Sequence, residues 1–380
     1  MKKTFVQYTE PLESVLTMLE EKGIIFDANR YYHEILEPLH YEQEELRLQL
    51  HEHLHLKRNA SIDNDTDIMW DFYKTGHHPL NLTMEYLKEV QRESTAYDLL
   101  FQHKKIRQFL GPFGQRLLDK LDAQSCLHGH WSTDTATGRL KCRSPALQGF
   151  PKQVSRYFTA PKGFVLITGD YSHIDLRVLA QLSQDEILIK AFNQAVDIHR
   201  QTASAIFEKD FSQITEPERQ IAKKINFSII YGISSESLWH DLRQVNHNAT
   251  LQDAKNYRDN FFSTYQGVVK WQNEALRSST VYGLNGLSWS SFRTINCHLN
   301  YPIQGSAAAG LKLALILLFK NLKPNWYISH TVHDEIQIIV PGDDAESGQM
   351  ILKQAMIEGM SYIVKDLPID VKTEIKYSTI

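Results

Sequence analysis

Residues 164–177 read Phe164-Val165-Leu166-Ile167-Thr168-Gly169-Asp170-Tyr171-Ser172-His173-Ile174-Asp175-Leu176-Arg177. The first five are apolar or β-branched and stop at a glycine, the pattern of a short buried strand. Such a strand delivers Asp170 where the pleat ends and the chain turns. One acid there decides little, but a second stretch changes its weight. Ile328-Ser329-His330-Thr331-Val332-His333-Asp334-Glu335-Ile336-Gln337-Ile338 reads as a hairpin with His333, Asp334 and Glu335 near its turn. Two aspartates on neighbouring strands can hold two Mg²⁺ ions ~3.5–4 Å apart. Mg²⁺ prefers hard oxygen ligands, and such a pair activates an attacking oxygen and stabilises a leaving one in phosphoryl transfer.

Between the two strands, Thr215-Glu216-Pro217-Glu218-Arg219 carries a capping box, Thr215 with Glu218, and a proline in the first turn, so a helix starts there. On it Arg219, Lys223, Phe227 and Tyr231 recur every four residues along one stripe, while Ile221, Ile225 and Ile229 fall toward the other side. Two cations one turn apart suit a polyphosphate, and the aromatics beyond them offer a flat surface to a base or sugar. An ordinary amphipathic helix with solvated cations has the same pattern.

The rest of the chain sets bounds. Its 380 residues allow two or three subdomains, and 42% apolar with 23% charged residues excludes a disordered or fibrous class. Cys126, Cys142 and Cys297 are too few for a disulfide framework, so a reducing, cytoplasmic setting is expected. Met1-Lys2-Lys3 is not followed by an apolar export signal. Ser306 to Phe319 is broken by Lys312, is shorter than the ~20 residues of a membrane span, and reads as a buried helix.

A net charge of −4 argues against a uniformly basic nucleic-acid binder, yet no Asp or Glu occurs between Thr135 and Gly169, where Arg139, Lys141, Arg143, Lys152, Arg156 and Lys162 lie. That is a local anion footprint, or a solvated loop. No glycine-rich phosphate loop supports an ATPase or dinucleotide reading. His51 and His55 share a helix face without a partner ligand, and Cys126, His128, His130 and Cys142 fit no usual zinc spacing. Helical patterning is expected from Pro11 to about Leu56 and, after a polar break at Asn59 to Asp67, on through Leu121.

Taken in order, these motifs resemble the polymerase region of family A DNA polymerases, the bacterial DNA polymerase I type. Thr135-Ala136-Thr137-Gly138-Arg139-Leu140 with Pro145 and Leu147-Gln148 is similar to the family's template-primer segment, and Asp170 to Arg177 to its first catalytic motif. Asp197-Ile198-His199 and the stretch from Arg219 to Gly232 match triphosphate- and nucleotide-binding segments. Asn300, Pro302, Gln304 and Gly305 match the segment before a palm helix, and His333-Asp334-Glu335 the second catalytic motif. The clear similarity covers roughly residues 131–370, and six motifs in order are far more specific than any one of them.

The resemblance implies an α+β, right-hand fold: a helical thumb at 1–125, an antiparallel palm sheet from 126–195 and 296–380, and helical fingers at 196–295. It implies template-directed DNA synthesis with two Mg²⁺, for which Mn²⁺ can stand in. Asp170 and Asp334 would bind the metals, with the Tyr171 carbonyl assisting and Glu335 nearby. Arg219, Lys223 and His199 would hold the triphosphate, Lys223 with a catalytic part. Phe227 and Tyr231 would shape the nucleotide pocket, and Asp175 would stand against the sugar. Arg139, Gln148, Asn300, Gln304 and His333 would meet the nucleic acid. The implied partners are primer-template and deoxynucleoside triphosphates, with no membrane, and the expected assembly is a monomer.

A non-catalytic primer-template binder and a polymerase on RNA templates stay open as alternatives. The retained metal carboxylates and cations weigh against the first, and Phe227 favours deoxynucleotides over ribonucleotides as substrates. The departures are Asp175 for the family's glutamate, His173 for glutamine, Ser228 for glycine, Ala146 and Gly149 for asparagines, and Asn296 for arginine. They bear on sugar selection and template grip. The chain begins about where a thumb would, so a proofreading or flap-nuclease segment is not expected on it.

Overall fold

The computed structural model describes residues 9–56 and 61–378. The chain divides into two compact units. The first contains residues up to Gly23, His128–Gly149 and Ala160–Ser378; the second contains Ile24–Leu127 and Phe150–Thr159.

In the first unit, α1 (Thr9–Lys22) precedes a two-stranded ribbon of β1 (His130–Ser132) and β2 (Lys141–Arg143). Next come β3 (Phe164–Tyr171), α2 (Ile174–Ser183), α3 (Ile198–Phe207) and α4 (Glu216–Ile229). After further helices follow α5 (Cys297–Lys320), β4 (Tyr327–Val332), β5 (Glu335–Pro341), α6 (Ala345–Ser361) and β6 (Val371–Tyr377). The order β6-β3-β5-β4 makes one four-stranded sheet, antiparallel throughout. β3 runs longer than its apolar stretch alone predicts, because β5 and β6 pair with it through Asp170.

Val165 and Ile167 are buried because α6 covers their face of this sheet, and Leu166 is buried on the opposite face. The cover is tight. A Cβ on Gly169 would stand 2.5 Å from the Met356 sulfur, and the Tyr171 hydroxyl donates to the Met356 carbonyl at 2.6 Å. α6 in turn lies against α5 so closely that a Cβ on Gly359 would be 2.3 Å from the Ala314 backbone nitrogen. The apolar run expected after Ser306 belongs to this longer helix. By length and composition α5 could cross a bilayer, but 72% of its most apolar window is buried inside the protein. It starts at Cys297, so Asn300 to Gly305 lie on the helix itself. Pro302 falls in its second turn, where the missing N–H costs one bond and the burial of Leu299 and Ile303 holds the helix on course.

The second unit is mostly helical. The helical pattern expected across residues 11–56 is interrupted: Gly23, at φ 59°, ends α1, and Ile24-Ile25-Phe26 forms a fully buried strand between residues 126–127 and 158–159. Three consecutive buried apolar side chains with partners on both edges outweigh helix periodicity. Helices Glu37–His53, Asp65–Lys74, Met84–Val90 and Thr95–Phe113 enclose a core that includes Leu50, Phe72, Leu87 and Leu100. Part of the polar break, residues 57–60, lies outside the described residues.

Candidate active site

The sheet register builds the centre. Asp170, at the end of β3, pairs with Glu335 on β5 and with Lys372 on β6, giving a row acid–acid–base across three strands. The β4–β5 hairpin turns on His333 and Asp334, and His333 takes φ 53°, a left-handed conformation unusual for a histidine. The Tyr171 amide donates to the Asp334 carbonyl at 3.3 Å, which brings the turn beside the end of β3. At His173 the chain again adopts a left-handed conformation, φ 58°, before α2 starts. Two strained histidines thus flank the two aspartates, a placement characteristic of sites where backbone aim matters more than local comfort.

Asp334 is pushed up to about 7, first by burial and then by the neighbouring charges of Asp170 and Asp175. Three carboxylates converge there, and a cation is the natural complement of that excess negative charge. The donors are hard oxygens, so the residues fit Mg²⁺ or Mn²⁺.

Two adjoining cavities open on this centre. One, of about 280 Å³, is lined by Asp170, His173, Asp175, Lys223, Phe227, Asp334 and Lys372, among others. The second, of about 420 Å³, shares Tyr171, Ile174, Asp175, Phe227 and Asp334 and adds Arg139, Tyr231, Gln304, Ala307, Ala308 and His333. Its floor is the small-residue face of α5.

α4 begins with the capping box foreseen at Thr215 and Glu218, and Ile221, Ile225 and Ile229 are buried. Lys223 and Phe227 project into the cavity. The helix ends at Ile229, so Tyr231 lies in the following turn rather than on the helix. Gly232, at φ 73°, reverses the chain, and its N–H bonds the Ile229 carbonyl at 2.9 Å. From that turn the Tyr231 hydroxyl donates to Asp175 Oδ2, and Arg139 Nη2 lies 3.6 Å from the same oxygen. Burial, with Asp175 adding to it, pushes the Tyr231 hydroxyl far above the usual phenol range, so it stays a donor.

Other expected residues lie at varying distance from the cavities. Arg219 is paired to Asp197 (Nε–Oδ2 2.7 Å) and, more loosely, to Glu216 at 3.4 Å. Asp197 also caps α3 by accepting from the His199 and Arg200 amides. Burial resists its ionisation, but the Arg219 and backbone bonds outweigh it and hold the carboxyl below its ordinary range. His199 is wholly buried, with its ring 4.7 Å from that of His173 and 5.8 Å from that of Phe227, and it bonds Asn226 at 2.9 Å. Burial drives it down to about 3, so it is neutral. It backs the cavity wall instead of lining it.

Gln148 accepts from the Cys142 amide at 3.0 Å and donates to the Thr331 carbonyl at 3.3 Å, tying β2 to β4. Asn300 sits on the first turn of α5 with its Oδ1 buried and unbonded among the described residues. His130 and Cys142 lie on the β1–β2 ribbon, and all three cysteines are free.

Lys372 is a charged cavity residue that no sequence motif marks. Its strand, Val371–Tyr377, has no motif, and only the pairing with β3 sets this lysine opposite Asp170. The Arg139–Asp175–Tyr231 cluster was likewise invisible as a cluster, because its members are separated by 36 and 56 residues.

A family model described as DNA polymerase family A matches residues 39–285 and 290–379. DNA polymerase I of Aquifex aeolicus is 32% identical over 250 residues, which cover 63% of this chain and 43% of that protein. The thermostable DNA polymerase I of Thermus filiformis is 27% identical over 413 residues, covering 98% of this chain and 47% of the relative. The chain therefore spans less than half the length of these curated relatives. Among solved structures, the POL domain of Pol1 from M. smegmatis, in complex with DNA primer-template and dNTP, superposes with a TM-score of 0.80 at 21% identity, over 97% of this chain and 69% of that one. That likeness extends the shared fold to nearly every residue, and with the family match it places this chain among the family A DNA polymerases.

Proposed function

We propose that this chain is a template-directed DNA polymerase that adds deoxynucleotides to a primer 3′ end. The observation that carries the reading is the meeting of Asp170 and Asp334 at the edge of a cavity that also holds Lys223 and Phe227. A binding relic gains nothing from crowded carboxylates that raise one another's cost of ionisation.

In this reading the four-stranded sheet is the palm, residues 196–295 are the fingers and the helices of the second unit are the thumb. Asp170 and Asp334 would hold the metals with the Tyr171 carbonyl, and Glu335 would border them. When bound, two Mg²⁺ ions offset charge on the phosphoryl group and its attacking and leaving oxygens.

The chain's own residues do the rest. Lys223 projects its ammonium into the same space and neutralises charge that builds on the leaving phosphates, with a proton available to give. Arg219 keeps its cation near α4's first turn, and His199, neutral, fixes the wall behind Phe227. Phe227 and Tyr231 provide flat surfaces for the incoming base. Asp175, held by Tyr231 and Arg139, stands where a sugar would pass. Arg139, Gln304 and His333 line the second cavity as polar contacts for the primer end, with Asn300 and Gln148 behind them.

The test is primer extension by the full chain on DNA and on RNA templates, with each triphosphate set. Extension with deoxynucleotides on a DNA template is the expected result. Binding of primer-template without extension under any set would overturn the reading in favour of a binding protein.

A further inference from the structure

Gln304, Ala308 and Lys312 stand at positions i, i+4 and i+8 on α5 and so form one stripe. The first two line the second cavity, and Lys312 lies one turn beyond, ~12 Å along the helix from Gln304. Lys312 is half-buried, and no hydrogen bond or ion pair reaches its ammonium among the described residues. From Cys297 to Lys320 the helix carries no acid. Burial alone pulls the Lys312 ammonium down from its ordinary value, with no carboxylate offsetting it.

The loop against it, residues 133–140, carries a single acid, Asp134, at its start. A Cβ at Gly138 would stand 3.2 Å from Lys312 Nζ, and Gly138 lies within the acid-free stretch that begins at Thr135 and includes Arg139. Trp289 Nε1 donates to the Ala136 carbonyl at 2.7 Å and holds this loop over α5. A desolvated cation without a counter-charge costs stability, and a protein retains such a cost where a ligand supplies the missing anion.

We propose that Lys312 binds a backbone phosphate of the primer-template duplex, behind the primer end that Gln304 meets. The proposal rests on the polymerase reading and extends it to a residue outside the catalytic cavities. A strand carries one phosphate per ~3.4 Å of axial rise, so phosphates a few base pairs behind the primer end fall within the ~12 Å that separates Lys312 from Gln304 along α5. The small side chains of Ala307 and Ala308 leave room for the strand to approach the helix.

The experiment compares the natural chain with Lys312→Met, Lys312→Gln and Lys312→Arg. It measures the affinity for a fixed primer-template duplex across a salt series, without nucleotides, and the melting temperature of each free protein. Losing one phosphate contact lowers the slope of log affinity against log salt by about 0.9. Met and Gln are expected to show that drop, with a several-fold weaker affinity at low salt, while Arg keeps the slope. The free Met variant is expected to melt no lower than the natural chain, because a partly desolvated, unpaired charge has gone. Unchanged slopes in both Met and Gln overturn the proposal, and a lower melting temperature with unchanged slopes makes Lys312 a structural residue. If the natural chain itself fails to bind the duplex, it is the polymerase reading that falls.

Discussion

The Tyr231 hydroxyl is bonded to Asp175, although the two residues lie 56 positions apart and on different elements. Aspartate is one methylene shorter than the glutamate usual in the resembled family, and here it is held by Tyr231, with Arg139 on the same oxygen at 3.6 Å.

Sugar selection should depend on that bond. Tyr231→Phe removes the hydroxyl donor and leaves Asp175 to Arg139 alone, and incorporation of ribonucleotides relative to deoxynucleotides is expected to rise by about 10-fold, within the range of ~1–3 kcal/mol for a small change in a pocket. Deoxynucleotides remain preferred. Competing single-nucleotide incorporation checks it, and an unchanged ratio in both Tyr231→Phe and Asp175→Ala would remove this pair from sugar discrimination.

Lys223 is exposed in the cavity, whereas Arg219 is already paired with Asp197. Lys223→Ala should therefore lower the single-turnover rate by roughly 10²-fold or more, the scale of lost acid or electrostatic help. Arg219→Ala should act more on nucleotide affinity. Rapid-quench measurements over a range of nucleotide concentration separate the two. Equal and small effects on both constants would make Lys223 a surface lysine.

Metal binding should depend on pH. Burial, then the neighbouring charges of Asp170 and Asp175, push Asp334 up to about 7 in the metal-free protein, so at lower pH an incoming cation must displace its proton. Apparent Mn²⁺ affinity, measured by calorimetry without nucleic acid, is expected to rise from pH 5.5 to 7.5 and then level, with proton release on the low-pH side. Asp334→Asn should abolish the pH dependence. At pH 8, Lys372→Ala should tighten Mn²⁺ binding several-fold, because a cation opposite Asp170 has been removed. A flat profile in the natural chain would contradict the assignment.

Much of this centre was legible in the sequence because its signals are local. A strand leading to Asp170, a hairpin around Asp334 and a capping box at Thr215 each lie within a dozen residues; the hairpin and the cap form as read, and the strand runs on through Tyr171. The misses are of another kind. Ile24–Phe26 is a strand because two distant segments flank it, Tyr231 leaves the helix because Gly232 reverses the chain, and Lys372 enters the cavity because β6 pairs with β3. His199 is in the expected neighbourhood, but its complete burial comes from packing against His173 and Phe227, which no spacing encodes.

The seating of α6 on α5 gives a prediction for the fold itself. A methyl group on Gly359 would collide with Ala314's backbone, which cannot swing aside as a flexible side chain can. Gly359→Ala should cost about 1–3 kcal/mol, the usual penalty of overpacking. Chemical denaturation checks it, and a variant as stable as the natural chain would show that the helices separate freely.

Asp170 and Asp334 together are the proposed nucleotidyl-transfer centre. It is tested most directly by extension of a DNA primer by Asp170→Asn and Asp334→Asn, with binding of the same primer-template measured alongside. Loss of extension to background with duplex binding retained is the predicted result. Near-normal extension by either variant in Mg²⁺ would contradict it.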